Sequence, residues 1–342
     1  MKIGLVGYQG SGKSTLFEFL TDVAPDLSLS HTTQAAMATI PDDRIASLCG
    51  VYNPKKVTRA SLEIIDTPGL SRTHEGNAAR LGQIREASCL VQVIGAFDGS
   101  DFQTDLQGFE EDLVLTDLEI VANRVERLKE SLRKPRPNRD EQQAELEAIE
   151  PILAKLEAGE ALHNFEFSDE QLKITRSFQL LSQKRRMAII NVADDVDNLE
   201  PYNQFSTDDR PVIAVPVGLE VELARMDPTE RDEFRQEMGI QSFDRDSLIR
   251  TIMDQSGQML FFTAGEKEVR TWLIPQGATA VEAADSIHSD MARGFIRAET
   301  MSCDDLVRLG SERDVKAENL MRQEPKDYVL QDGDIINIRF SV

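Results

Sequence analysis

Short, continuous apolar runs alternate with amphipathic stretches along the first two-thirds of the chain. The runs at 3–6, 62–65 and 90–94 are rich in β-branched residues and bounded by Gly or Asp. That is the signature of strands buried on both faces. Residues 187–192 and 212–217 have the same character. Five such runs separated by helical segments predict an α/β fold with a mostly parallel, doubly wound sheet and helices on both faces.

Between the third and fourth runs the period changes. Leu118, Val121, Val125, Leu128 and Leu132 recur at spacings of three and four, and so do Leu146, Ile149, Leu153 and Leu156. A Pro-rich stretch at 134–138 separates them. The pattern predicts an inserted antiparallel helical hairpin, with Pro151 weakening or kinking its second helix. A longer intermolecular coiled coil is the alternative. Ser168-Asp169-Glu170 reads as an N-cap opening a third helix. Beyond about residue 265 the order becomes strand (269–274), turn (275–277), helix (280–288) and closing strands (328–330, 335–340). This predicts a small β-grasp unit.

Composition narrows the class. At 342 residues the chain is long for one domain. Its 38 basic and 60 acidic residues give a net charge of −22, which excludes a global attraction to nucleic acid. A local basic patch does occur: Arg124, Arg127, Lys129, Arg133, Lys134, Arg136 and Arg139 cluster at the hairpin tip, the candidate RNA or ribosome contact. No apolar run is long enough to span a bilayer, and the first strand starts directly after Met1. A cytoplasmic location without membrane contact is expected. Cys49, Cys89 and Cys303 follow no metal spacing and are expected to be free thiols.

Gly7-Tyr8-Gln9-Gly10-Ser11-Gly12-Lys13-Ser14 matches the phosphate-loop pattern, after a strand and before a helix. Backbone amides of Gly7, Gln9, Gly10, Ser11, Gly12, Lys13, Ser14 and Thr15 are expected to surround the phosphates. Lys13 would reach the β- and γ-phosphates, and the Ser14 hydroxyl would ligate Mg²⁺. The run at 62–65 ends in Asp66-Thr67-Pro68-Gly69, a D-x-x-G at a strand end. Asp66 is expected to hold Mg²⁺, and the Gly69 N–H to contact the γ-phosphate. Ser30-His31-Thr32-Thr33 is the candidate switch I, with Thr32 or Thr33 closing on the metal. Lys13, Gly69 and Thr33 are thus the candidate catalytic residues, and Ser14, Asp66 and Thr33 the metal ligands. Leu70 occupies the position where a water-orienting Gln often stands, so intrinsic hydrolysis is expected to be slow or to use a residue recruited from elsewhere.

The fourth run ends in Asn191-Val192-Ala193-Asp194, where a base-reading motif belongs. Asp194 can accept two hydrogen bonds from a guanine edge, a pair of donors that adenine lacks. Val192 shortens the stem that would lie over the base. Val217, Gly218 and Leu219 are expected to form the loop whose backbone reaches it. Asn191 and Asp194 could instead cap the following turn.

With these motifs the chain resembles the YchF family, an Obg-related branch of the P-loop GTPases. Further similar stretches are Ile84-Arg85-Glu86, Leu118-Glu119, Ser168-Asp169-Glu170, residues 261–270, 293–299 and 326–334. The resemblance implies a G domain at 1–116 and 181–265, a helical insertion at 117–180 and a C-terminal TGS domain of β-grasp type at 266–342. It also implies purine nucleotide hydrolysis without a catalytic Gln, and association with ribosomes, for which the hairpin tip and the TGS domain are the candidate contacts. A monomer is expected. Family members usually carry N-x-x-E and commonly prefer ATP; Asp194 departs from that and predicts GTP binding at least as strong as ATP binding. The loop residues 8–11 differ from the family's Pro-Asn-Val type, the stretch at 71–79 is shortened, and 96–113 contains no His. Two functional classes follow: a slow GTP- or ATP-hydrolysing switch, or a nucleotide-dependent RNA- or protein-binding module with little hydrolysis.

Overall fold

The computed structural model describes residues 1–341 except 27, 29–31, 100, 134–136, 197 and 239–242. Its elements run β1 (Lys2–Val6), α1 (Lys13–Thr21), β2 (Gln34–Thr39), α2 (Arg44–Tyr52), β3 (Val57–Thr58), β4 (Ser61–Asp66), α3 (Asn77–Gly82) and β5 (Cys89–Gly95). Then come α4 (Phe102–Leu132), α5 (Arg139–Glu157), α6 (Asp169–Thr175), β6 (Arg185–Asn191), α7 (Glu200–Asn203), β7 (Val212–Val215), α8 (Val217–Ala224), α9 (Pro228–Met238) and α10 (Arg245–Gln255). The chain closes with β8 (Gln258–Ala264), β9 (Val269–Pro275), α11 (Ala280–Ile287), α12 (Ser289–Arg293), β10 (Phe295–Ser302), α13 (Cys303–Leu309), α14 (Glu312–Ala317), β11 (Arg322–Glu324) and β12 (Asp334–Phe340). The chain separates into two compact units, one of residues 1–36 and 63–243, the other of 37–62 and 244–342.

The first unit is built on a six-stranded sheet of order β2-β4-β1-β5-β6-β7. The pairs β1–β4, β1–β5, β5–β6 and β6–β7 are all parallel. The five predicted strands are present; β2, with its alternating exposed and half-buried positions, carries too little apolar signal to be read in advance. Every residue of β5 is buried, as its uninterrupted apolar run implies.

The helical insertion is one apolar cluster. Val121, Val125 and Leu128 of α4 pack with Leu146, Ile149, Ile152 and Leu156 of α5. Asp101 caps α4 by accepting from the amides of Gln103 and Thr104. Pro151 lies within α5 without ending it. A capping box joins Ser168 and Gln171 at the start of α6, as the sequence suggested. Charges line the hairpin as well: Arg124 forks onto Glu145 with two 2.7 Å bonds, and Lys129 pairs with Glu150 at 2.9 Å. Among the described residues, Arg124 and Lys129 of this cluster are therefore engaged inside the hairpin. Residues 134–136, the tip itself, lie outside the described residues.

The second unit has a six-stranded mixed sheet, β11-β10-β12-β8-β9-β3. The antiparallel β8–β9 hairpin and the parallel β8–β12 pair, with α11 packed on one face, make the β-grasp core. The predicted boundary at 265/266 is corrected here, because β8 is a strand of this sheet. Residues 37–62 also belong to this unit: β3 adds to β9, and Ile45 and Leu48 of α2 enter the core beside Phe262 and Leu306. Arg44 pairs with Asp42 and Asp332, Tyr52 donates to Glu312 at 2.7 Å, and Thr58 to Glu268 at 2.5 Å. Among the described residues no helix is long and apolar enough to cross a membrane.

Candidate functional site

The strand-to-helix turn after β1 forms the floor of a cleft of about 630 Å³ in the first unit. The phosphate-loop residues Gly10, Gly12, Lys13, Ser14 and Thr15 line it together with Phe97, Asn191, Val192, Ala193, Asp194 and Gly218. Gly12 is at φ +94° and opens α1. A Cβ there would sit 2.2 Å from the Asn191 side-chain nitrogen, so only glycine permits both the left-handed turn and this approach.

Lys13 is buried, with its ammonium 3.1 Å from the Gly7 carbonyl and 3.0 Å from that of Tyr8. Burial lowers its pKa to about 8, against the opposing pull of the Asp66 charge. Ser14 Oγ donates to Asp66 Oδ2 at 2.6 Å. Asp66 is buried too, and burial raises its pKa, with Ser14 and Lys13 working against that shift. Among the described residues, Asp66 Oδ1 is sealed from solvent and has no hydrogen-bond partner. A buried, unpaired carboxylate oxygen beside a serine hydroxyl fits a hard divalent cation such as Mg²⁺.

The backbone ties the D-x-x-G turn to the phosphate loop in both directions. Leu70 N–H donates to Gly7 O at 2.9 Å, and Gln9 N–H to Leu70 O at 3.0 Å. Thr67 donates to the Leu5 carbonyl at 2.6 Å. Leu70 is buried in a cluster with Tyr8, Leu81 and Phe109. Thr32 and Thr33 are exposed ahead of β2, and no hydrogen bond joins Thr33 to Ser14 or Asp66. Ser30 and His31 lie outside the described residues.

On the base side, Asn191 holds two segments together. Its Nδ2 donates to the Ser11 carbonyl at 3.3 Å, and its Oδ1 accepts from the Val217 amide at 3.1 Å. Asp194 Oδ1 accepts from the Leu219 amide at 3.1 Å. Val217, Gly218 and Leu219 are not the expected loop. They form the first turn of α8, where helix amides lacking intrahelical partners are free to meet these side chains. Among the described residues Asn191 and Asp194 thus bond amides of α8 and not the turn that follows β6, while Asp194 stays exposed at the cleft. Val192 is buried and offers no stem over a base.

Three features escaped the sequence reading. Phe97, 43% exposed, supplies the aromatic surface of the cleft that Val192 lacks. Asp112 of α4 is buried and gathers Tyr8 Oη at 3.4 Å, His74 Nδ1 at 2.8 Å and Asn77 Nδ2 at 2.9 Å. Asp105, also on α4, receives a forked bond from Arg72 at 2.9 and 2.7 Å. The segment after D-x-x-G is thereby fastened to α4. An isolated Asp in a helical pattern carries no sequence signal for such a role.

A model described as a 50S ribosome-binding GTPase matches residues 2–124. The YchF-GTPase C-terminal model, itself described as a protein of unknown function, matches 259–341. The chain is 31% identical over 365 residues to the ribosome-binding ATPase YchF of Bacillus subtilis (strain 168), covering 99% of each chain. This protein belongs to the YchF family. It is 32% identical to the Escherichia coli O157:H7 ribosome-binding ATPase YchF, over 100% of this chain and 99% of that one. With Obg-like ATPase 1 of Oryza sativa subsp. japonica it shares 35% identity over 100% of its own length and 92% of the relative's. The structure of the Schizosaccharomyces pombe YchF GTPase superposes with a TM-score of 0.83 at 26% identity, covering 99% of this chain and 97% of the other. A GTP-binding protein from Pyrococcus horikoshii OT3 matches in fold, with a TM-score of 0.61 at 18% identity and full coverage of both chains.

Proposed function

We propose that this YchF-family chain is a Mg²⁺-dependent nucleoside triphosphatase that works as a ribosome-associated switch in the cytoplasm. Asp66 Oδ1, unpartnered among the described residues and set beside Ser14 and Lys13, carries this reading. Ser14 and Asp66 would hold the cation, which supplies charge neutralisation to the phosphates when bound. Amides of the phosphate loop bind the triphosphate, Lys13 neutralises its outer oxygens, and the Gly69 amide contacts the γ-phosphate. Thr33 joins this arrangement by closure of the preceding segment. The relatives' printed names supply the ribosome. The contact surface proposed here is the hairpin formed by α4 and α5, where Arg127, Arg133 and Arg139 carry no ion pair among the described residues, together with the β-grasp unit.

Turnover with and without ribosomes tests the whole reading. Stimulated γ-phosphate release is expected. Tight nucleotide binding with no release in either condition would replace the switch by a nucleotide-dependent binding module.

Base choice rests on Asp194. With one oxygen given to the Leu219 amide and the side chain still exposed, its second oxygen remains available to a guanine edge. GTP is expected to bind at least as tightly as ATP. Asp194→Asn should weaken GTP by about 10- to 100-fold, the usual discrimination of a paired base contact. Parallel titrations measure both, and an ATP preference of about tenfold or more in the unaltered protein would refute the assignment.

A further inference from the structure

Slow hydrolysis still needs a group that orients the attacking water, and the residue after D-x-x-G cannot supply one. Leu70 is buried in the Tyr8, Leu81 and Phe109 cluster, and both its backbone groups are hydrogen-bonded to the phosphate loop. Swinging it out would break that cluster, and its side chain has no polar atom. His74, further along the same segment, has Nδ1 on Asp112 and lies against Gly108 of α4. Tyr8 directs its hydroxyl to Asp112 as well, and burial raises its pKa well above the usual phenol value.

Gln9 differs from all three. A Cβ placed on Gly69 would fall 2.6 Å from Gln9 Cα, 2.9 Å from its N and 3.0 Å from its Cβ. The Gln9 side chain therefore leaves the backbone directly against Gly69, the glycine proposed above to contact the γ-phosphate. This contact also explains why position 69 must lack a side chain. The Gln9 N–H is fixed on Leu70 O, so the root of the side chain is held. The side chain itself is exposed, and its carboxamide makes no hydrogen bond among the described residues. A carboxamide carries an acceptor and two donors, the combination needed to hold a water and a phosphate oxygen together.

We infer that Gln9, from within the phosphate loop, is the residue that positions the hydrolytic water in this chain. The inference rests on the triphosphatase reading above. The Gln9 carbonyl oxygen accepts from the attacking water, and its NH₂ donates to a γ-phosphate oxygen. The water oxygen forms the new bond to phosphorus as the bond to the leaving diphosphate breaks. The departing oxygen keeps the bonding pair, the water's proton passes to a phosphate oxygen, and Gln9 is unchanged.

The test is single-turnover hydrolysis of bound GTP and ATP by the full chain with Mg²⁺, alongside nucleotide dissociation constants. Gln9→Ala is expected to slow hydrolysis by about 100-fold, the usual cost of one positioned hydrogen-bonding group. Its triphosphate affinity should stay within about threefold, separating a transition-state role from a binding one. Gln9→Ala should also lose capture of the nucleoside diphosphate with aluminium fluoride, which a purely structural residue would leave intact. His74→Ala should retain hydrolysis within about threefold. Full hydrolysis and fluoride capture by Gln9→Ala would overturn the inference, as would loss of hydrolysis in His74→Ala at undiminished affinity. Failure of the unaltered protein to bind either triphosphate would instead remove the triphosphatase reading itself.

Discussion

Lys13→Ala is expected to weaken binding of either triphosphate by about 100- to 10,000-fold. A hydrogen bond to a charged group contributes about 1.5–3 kcal/mol, and Lys13 is placed to make two. Its ammonium is already inside the loop, resting on the carbonyls of Gly7 and Tyr8, so little rearrangement precedes binding. Burial leaves this cation with a pKa of about 8 in the free protein. Phosphate oxygens arriving beside it favour the charged form and raise that pKa. Binding therefore takes up a proton above pH 8, and affinity should fall by up to about tenfold per pH unit there. Below pH 8 the lysine is charged in both states, and the dependence should vanish.

For folding the sign is opposite. The folded pKa lies below the unfolded value, so the unfolded chain binds the extra proton between about pH 8 and 10.5. The lysine's contribution to stability thus improves as pH rises through that window. Calorimetric titrations from pH 7 to 9.5 measure the binding effect. A flat affinity profile above pH 8 would show that Lys13 does not approach the phosphates.

Asp117→Ala is expected to destabilise the first unit by about 3–5 kcal/mol, the cost of breaking a buried charged cluster by removing one member. Asp117 has no solvent exposure. It accepts from the amides of Leu181 at 2.9 Å and Ser182 at 2.7 Å, from Ser182 Oγ at 2.8 Å and from Arg85 at 3.3 Å. Arg85 also donates to the carbonyls of Phe178 and Gln179. Alanine would leave the amides of Leu181 and Ser182 buried without their acceptor, whereas Arg85 would keep the two carbonyls. Urea unfolding followed by probes in each unit measures the loss, which should appear in the first unit alone. A change below about 1 kcal/mol would mean that water replaces the carboxylate in this cluster.

How much of this was readable beforehand differs from element to element. The phosphate loop and Asp66-Thr67-Pro68-Gly69 were legible because their chemistry is local: glycine conformation, a helix N-terminus and a strand end. The hairpin was legible because apolar spacing at three and four specifies one helix face. The path of residues 37–62 was not. It is fixed by a two-residue strand at Val57–Thr58 and by the pairing of Arg44 with Asp332, partners 288 positions apart. Phe97 looked like any loop aromatic, since the fold alone brings it to the cleft. The α8 turn was expected as a loop because it follows the last strand of the sheet, whereas its first amides are met by Asn191 and Asp194 from another strand end.

The continuity of α4 has a mechanical consequence. Thirty-one residues without a break make a rod of about 46 Å at 1.5 Å per residue. One end carries Asp105 and Asp112, to which Arg72, His74 and Asn77 are moored; the other half is the outgoing arm of the hairpin. A tilt of about 5° at the moored end would sweep the far end through about 4 Å. A displacement of about 1 Å across the Asp105–Asp112 anchorage would thus arrive at the hairpin enlarged to the dimensions of a side chain.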